Sequence, residues 1–174
     1  MAQSVWHRQR YSATAPEGSQ WTVYPYYGRT RSAVALTPYT KPVGDATLTY
    51  RFTLSPLTAN LSPLKIHVIV KSTLDFLDVG GFECAVSLDG GETQVVNFNK
   101  TLVDRQPYMY SEYYPAVASR VVEKMVELPV QKEGVHSLTL QPKHPGIVFE
   151  KIVVDAGGYQ KQFLFGQESP CTRK

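Results

Sequence analysis

Two tyrosine-rich clusters hold most of what this sequence can offer a ligand: Tyr24-Pro25-Tyr26-Tyr27-Gly28-Arg29 and Tyr108-Met109-Tyr110-Ser111-Glu112-Tyr113-Tyr114. Proline and glycine mark both as loops, and loops carried on a rigid scaffold are where binding residues concentrate. A sugar ring presents axial C–H groups that lie well on an aromatic face, while its hydroxyls take amide, carboxylate or guanidinium partners. By type, Tyr24, Tyr26, Tyr27, Tyr108, Tyr110 and Tyr113 are candidate ligand contacts, with Tyr26, Tyr27, Tyr110 and Tyr113 the best placed as platforms. Arg29, Glu112 or Asn99 are candidates for holding hydroxyls, and Arg29 or Arg31 for forking a uronate carboxylate with two parallel hydrogen bonds. The competing reading is that half of these rings cap the core or meet a neighbouring domain of a larger protein.

Other chemistries find little support. The histidines His7, His67, His136 and His144 show no metal-ligand spacing; His136 aligns with core-facing Leu138 and Leu140, and His144 sits in a turn. Asp89-Gly90-Gly91-Glu92 lacks the alternating oxygen ligands of a calcium loop and reads as a hairpin. There is no Gly-x-Ser-x-Gly elbow, phosphate-cradling glycine loop or His-Glu-x-x-His. Asp75, Asp78, Glu83 and Asp89 can pair in space as an acid and a base must, yet nothing in their spacing requires it. The expectation is a noncatalytic chain with no catalytic residue, metal or cofactor.

A chain of 174 residues suits one domain, which at this size buries roughly 70% of the unfolded surface. With 18 basic against 15 acidic residues, the net charge of +3 gives no strong field for nucleic acid. Tyrosine is the unusual aromatic, at 11 residues against 2 Trp and 7 Phe, and its polar tip suits recognition of polar ligands. Cys84 shares a strand face with Phe82, Val86 and Leu88 and reads as a core thiol; a disulfide to Cys171, in a polar tail, is not expected. No apolar run is long enough for a membrane helix, and the first ten residues lack the apolar stretch of a signal peptide. A secreted, periplasmic or cell-surface protein is expected, with this chain as one part of it.

The elements that must position the tyrosines are strands. Leu48, Tyr50, Phe52 and Leu54 alternate with polar residues, as do Ile66, Val68 and Val70. A strand over 82–88 turns at Asp89-Gly90-Gly91 and resumes over 93–98; Val122, Val126, Leu128 and Val130 mark another, and 135–140 the next. Residues 147–154 are apolar on both faces apart from Glu150 and Lys151, which predicts a central strand. The spacing predicts one short helix over 114–122, opened by Pro115. The fold class is all-β, a two-sheet antiparallel, jelly-roll-like β-sandwich, with 1–18 as an N-terminal arm, 19–169 as the sandwich and 170–174 as a tail.

The order of motifs in the last quarter, Gly134-Val135-His136, a strand, His144-Pro145-Gly146, then a strand ending in Asp155-Ala156-Gly157-Gly158, resembles the C-terminal β-sandwich domain of glycoside hydrolase family 115, the xylan α-glucuronidases. Trp21 with Gly28-Arg29-Thr30 and Ala33-Val34 is similar to the opening of that domain, and Ser72-Thr73-Leu74-Asp75-Phe76 with Ser87-Leu88-Asp89-Gly90 to its middle. The resemblance covers about 19–169 and implies an accessory module, because the acid and base of those enzymes belong to a barrel domain. It implies as partners a plant cell-wall glycan of the xylan or glucuronoxylan type and the catalytic domain of a parent enzyme. The alternative is a structural or dimerisation domain without its own ligand, and more remotely a free-standing glycosidase or esterase.

Overall fold

The computed structural model describes residues 3–4, 11–29, 32–55, 63–130 and 132–162. Among the described residues eleven strands follow one another: β1 (Gln3–Ser4), β2 (Tyr11–Thr14), β3 (Gln20–Pro25), β4 (Ser32–Thr37), β5 (Thr47–Leu54), β6 (Leu64–Lys71), β7 (Glu83–Leu88), β8 (Thr93–Asn97), β9 (Val121–Leu128), β10 (Gly134–Pro142) and β11 (Val148–Asp155). Alternation decides their faces: β5 buries Leu48, Tyr50, Phe52 and Leu54 while Arg51 and Thr53 point to solvent. Every pairing is antiparallel, in two sheets of order β3-β4-β11-β6-β9 and β2-β5-β10-β7-β8, with β1 alongside the end of β11. This is the all-β sandwich expected from the sequence, and β11 lies in the middle of its sheet.

The core forms where Leu48, Tyr50, Val86, Leu138 and Leu140 of one sheet meet Val34, Ile66, Val68, Phe149 and Ile152 of the other. Fully burying each such side chain is worth about 1.5–3 kcal/mol before entropy is counted. Within 1–18, β1 pairs with Val153 and Val154, and β2 pairs with Thr47 to Tyr50 of β5. The predicted core thiol, Cys84, is fully buried, and desolvation pushes its pKa up to about 12. Cys171 lies outside the described residues.

The helix is shorter than the sequence suggests. A π-helical turn, Met109–Tyr113, leads into α1 (Tyr114–Ser119), with Pro115 in its first turn. Arg120 then adopts a left-handed conformation, φ 60°, that ends the helix. Val121, expected in the helix, and Val122, read both as the helix end and as the first residue marking the next strand, open β9 opposite Lys71 and Val70, where β-branched side chains fit a buried strand.

Candidate functional site

The first tyrosine cluster is built on the end of β3. After Pro25 the chain turns through Tyr26 (φ 60°) and Gly28 (φ 70°) towards β4. A Cβ at Gly28 would fall 2.4 Å from the carboxyl carbon of Glu150, so the turn needs glycine for space as well as for φ. The Arg29 backbone N–H donates to Glu150 Oε2 at 3.1 Å, and its guanidinium donates to the carbonyls of Ser119 (3.3 Å) and Gln162 (3.4 Å). Arg29 therefore pins the loop to the end of α1 and to the chain after β11. Tyr24 shares a hydrogen bond with Tyr39, hydroxyl to hydroxyl at 3.0 Å, and its ring lies 5.7 Å from that of Tyr27. Lys71 Nζ stands 6.0 Å from the Tyr27 ring centre, at the outer limit of a cation–π contact. Tyr26 projects outwards, 94% exposed. Arg31 lies outside the described residues.

The second cluster rides on the π-helical turn and α1. Tyr113 packs on the core, whereas Tyr110 and Tyr114 are exposed and meet edge to face at 5.5 Å; Tyr108 is partly exposed. Glu112 accepts from the Thr101 hydroxyl and from Lys124 Nζ (2.9 Å). The Thr101 bond, then Lys124, hold its carboxyl below the usual range against the opposing effect of burial. Asn99 is buried, with its amide between the Phe82 N–H and the Thr73 carbonyl. Both residues are thus engaged by partners inside the domain.

Beside the second cluster opens a cavity of about 260 Å³. Lys71, Ser72, Thr73 and Arg120 give it polar lining; Leu74, Leu102, Tyr113, Ala116 and Val117 give it apolar lining. Lys71 and Arg120 come together because β6 ends where β9 begins: Lys71 pairs with Val121, and the Ser72 N–H donates to the Arg120 carbonyl at 3.1 Å. Among the described residues, four non-glycine residues have positive φ, Tyr26, Asp78, Asp89 and Arg120. Aspartate tolerates that region; tyrosine and arginine are strained there by about 1–2 kcal/mol, and Arg120 lines this cavity. Sequence reasoning missed the cavity, although the apolar run Leu74, Phe76, Leu77 and Val79, exposed throughout, was a signal: it belongs to no alternating strand. Asp75 folds that run into a rigid loop by accepting the N–H groups of Val79 and Gly81, and Phe76 lies edge-on to Phe82.

Three of the four acidic residues weighed as catalysts have separate structural partners. Asp75 organises its loop, Glu83 bonds to Asn97, and Asp89 accepts from the Ser137 N–H and pairs with buried His136 at 2.7 Å. His144 accepts the Glu83 N–H. On the outer face of the first sheet, His67 meets Glu123 at 2.8 Å, and Tyr159 covers Ile69, Val121 and Val153.

Fold and site together define a two-sheet antiparallel β-sandwich domain with a cavity where β6 ends and β9 begins, lined in part by Tyr113. The sequence matches the glycosyl hydrolase family 115 C-terminal domain over residues 6–168, and the chain belongs to that family. No curated protein matches the sequence. Among solved structures it is similar to a family GH115 4-O-methyl-α-glucuronidase described as having specificity for decorated arabinogalactans: TM-score 0.57, 15% identity, over 86% of this chain. The chain spans only 18% of that enzyme's length. Weaker likenesses are a family 35 carbohydrate-binding module from Clostridium thermocellum (TM-score 0.49, 10% identity, 82% of this chain and 92% of that one) and an exo-β-1,3-galactanase from Phanerochaete chrysosporium (TM-score 0.46, 17% identity, 83% and 29%). At those scores neither bears on the ligand.

Proposed function

We propose that this chain is a noncatalytic glycan-binding domain of a polysaccharide-degrading hydrolase acting outside the cytoplasm, with plant glycan of the glucuronoxylan type as its ligand. The observation that carries this reading is the proximity of the two tyrosine clusters, Arg29 of the first bonding to Ser119 at the end of α1 and Lys71, which lines the cavity, standing beside the Tyr27 ring. Tyr26, Tyr27, Tyr110 and Tyr114 serve as the platforms. Each stacked ring adds about 1 kcal/mol, so a few rings and hydrogen bonds give a Kd between roughly 1 mM and 1 μM. Titration calorimetry with xylan-derived oligosaccharides tests this. Tyr26→Gly and Tyr110→Ala should each weaken binding several-fold without lowering the melting temperature, because both rings are exposed and glycine suits the positive φ at position 26. Unchanged binding in both variants overturns the platform reading, and turnover of glucuronoxylan oligosaccharides abolished by one carboxylate substitution overturns the noncatalytic one.

A second reading is favoured by the exposed apolar loop carrying Leu74, Phe76, Leu77 and Val79. A contiguous apolar surface held rigid in this way suits packing against another domain. In that case the chain is a structural or dimerisation domain of an α-glucuronidase.

A further inference from the structure

We infer that Lys71 and Arg120 make the cavity selective for a carboxylated sugar, an inference that rests on the glycan-binding reading. Both cations line the same cavity, brought there by the pairing of β6 with β9. Ser72 and Thr73 line it too, so a carboxylate and neighbouring sugar hydroxyls meet polar residues there. Glu150 faces Lys71 and also accepts the Arg29 N–H, and Asp104 lies beside the Tyr114 ring. The other acids nearby are engaged elsewhere, Glu112 by Lys124 and Glu123 by His67 and Lys161.

Arg120 supplies the second, independent observation. It holds a left-handed helix cap, the position where glycine is the unstrained choice, with its side chain exposed at the cavity. The fold does not need arginine there; a ligand carboxylate gives the side chain a use. At about 260 Å³ the cavity is smaller than a pocket for a drug-sized ligand, which suits one branching sugar, leaving the main chain to the tyrosines.

The test is titration calorimetry at low and moderate salt with three probes: xylotetraose, xylotetraose bearing one glucuronic acid, and trigalacturonate. The decorated xylotetraose should bind about tenfold tighter than the plain one at low salt, with the advantage shrinking as salt rises. Lys71→Gln and Arg120→Gly should each remove most of that advantage. Arg120→Gly should melt no lower than the parent chain, since glycine suits the cap. Trigalacturonate binding as tightly as the decorated tetraose supports carboxylate recognition with a uronate backbone as its source; weak binding of it beside tight binding of the decorated tetraose supports a uronate branch. Equal affinity for decorated and plain xylotetraose overturns the charge selectivity and leaves the glycan-binding reading standing. No binding of any probe overturns both.

Discussion

Glu150 sits fully buried in the middle of the central strand, with Gly28 against its carboxylate and the Arg29 N–H bonded to it. Burial raises its pKa above the usual carboxylate range, and the Arg29 N–H and the charges of Lys71 and Arg29 only partly oppose this. An acid whose pKa is raised on folding holds its proton more tightly in the folded chain. Its contribution to stability is therefore fully present below the unfolded value, about 4.3, and is lost as pH rises through the folded one. Glu150→Gln keeps the shape and an acceptor for Arg29 while removing the titration. The melting temperature of the variant should gain on that of the parent as pH rises from about 4 towards neutrality. Parallel melting curves across that range would contradict the assignment. The same residue explains why Arg29 reads as a clamp in the sequence but acts as a pin in the fold: Glu150 lies 121 positions away, and nothing local reveals it.

At the scale of elements, strands were legible wherever alternation was strong. The two-sided burial of β11 was legible as an apolar run, though Glu150 and Lys151 turn out as buried as their neighbours. The end of α1 was not legible. Val121 and Val122 suit either a helix face or a strand, and pairing with β6, a contact 50 residues distant, decides for the strand. The cavity was hidden for the same reason, since Lys71 and Arg120 meet only once that pairing exists. The first tyrosine loop was legible from proline and glycine, but the second cluster, expected as a loop, folds as the π-helical turn and the start of α1, and its Glu112 is engaged through Thr101 and Lys124, on other elements. The segment after β11 forms a further element of this kind. Asp155 accepts the N–H groups of Gly157 and Tyr159, turning the chain so that the Tyr159 ring lies 4.4 Å from His67 and over Ile69, Val121 and Val153. Tyr159→Ala should strip that cover and cost about 2 kcal/mol, less than a full core truncation because the ring is only partly buried. The loss should appear as a fall in melting temperature of about 4–8 °C. A fall below about 1 °C would show that the segment does not stabilise the sheet.

Across the whole molecule, Leu74 belongs both to the cavity lining and to the exposed apolar loop, so glycan binding and domain docking share a border. The two readings are compatible, and they separate by what each residue touches. Phe76 is tied into the domain, edge-on to Phe82 and over Gly146, where a Cβ would come within 2.5 Å of its ring. Leu77 and Val79 are exposed and lie outside the cavity lining, which makes them the residues with which to probe docking. An apolar surface meant for a neighbouring domain stays uncovered when this chain is alone, and burial of such surface drives association at about 25 cal/mol per Å². The isolated chain should therefore self-associate weakly, with a dissociation constant in the range of about 0.1–1 mM. Leu77→Ser combined with Val79→Ser should return it to a monomer in sedimentation velocity, with glycan affinity and melting temperature little changed. A chain that is already monomeric at about 1 mM, or association that persists in the double variant, would remove the docking role from this loop.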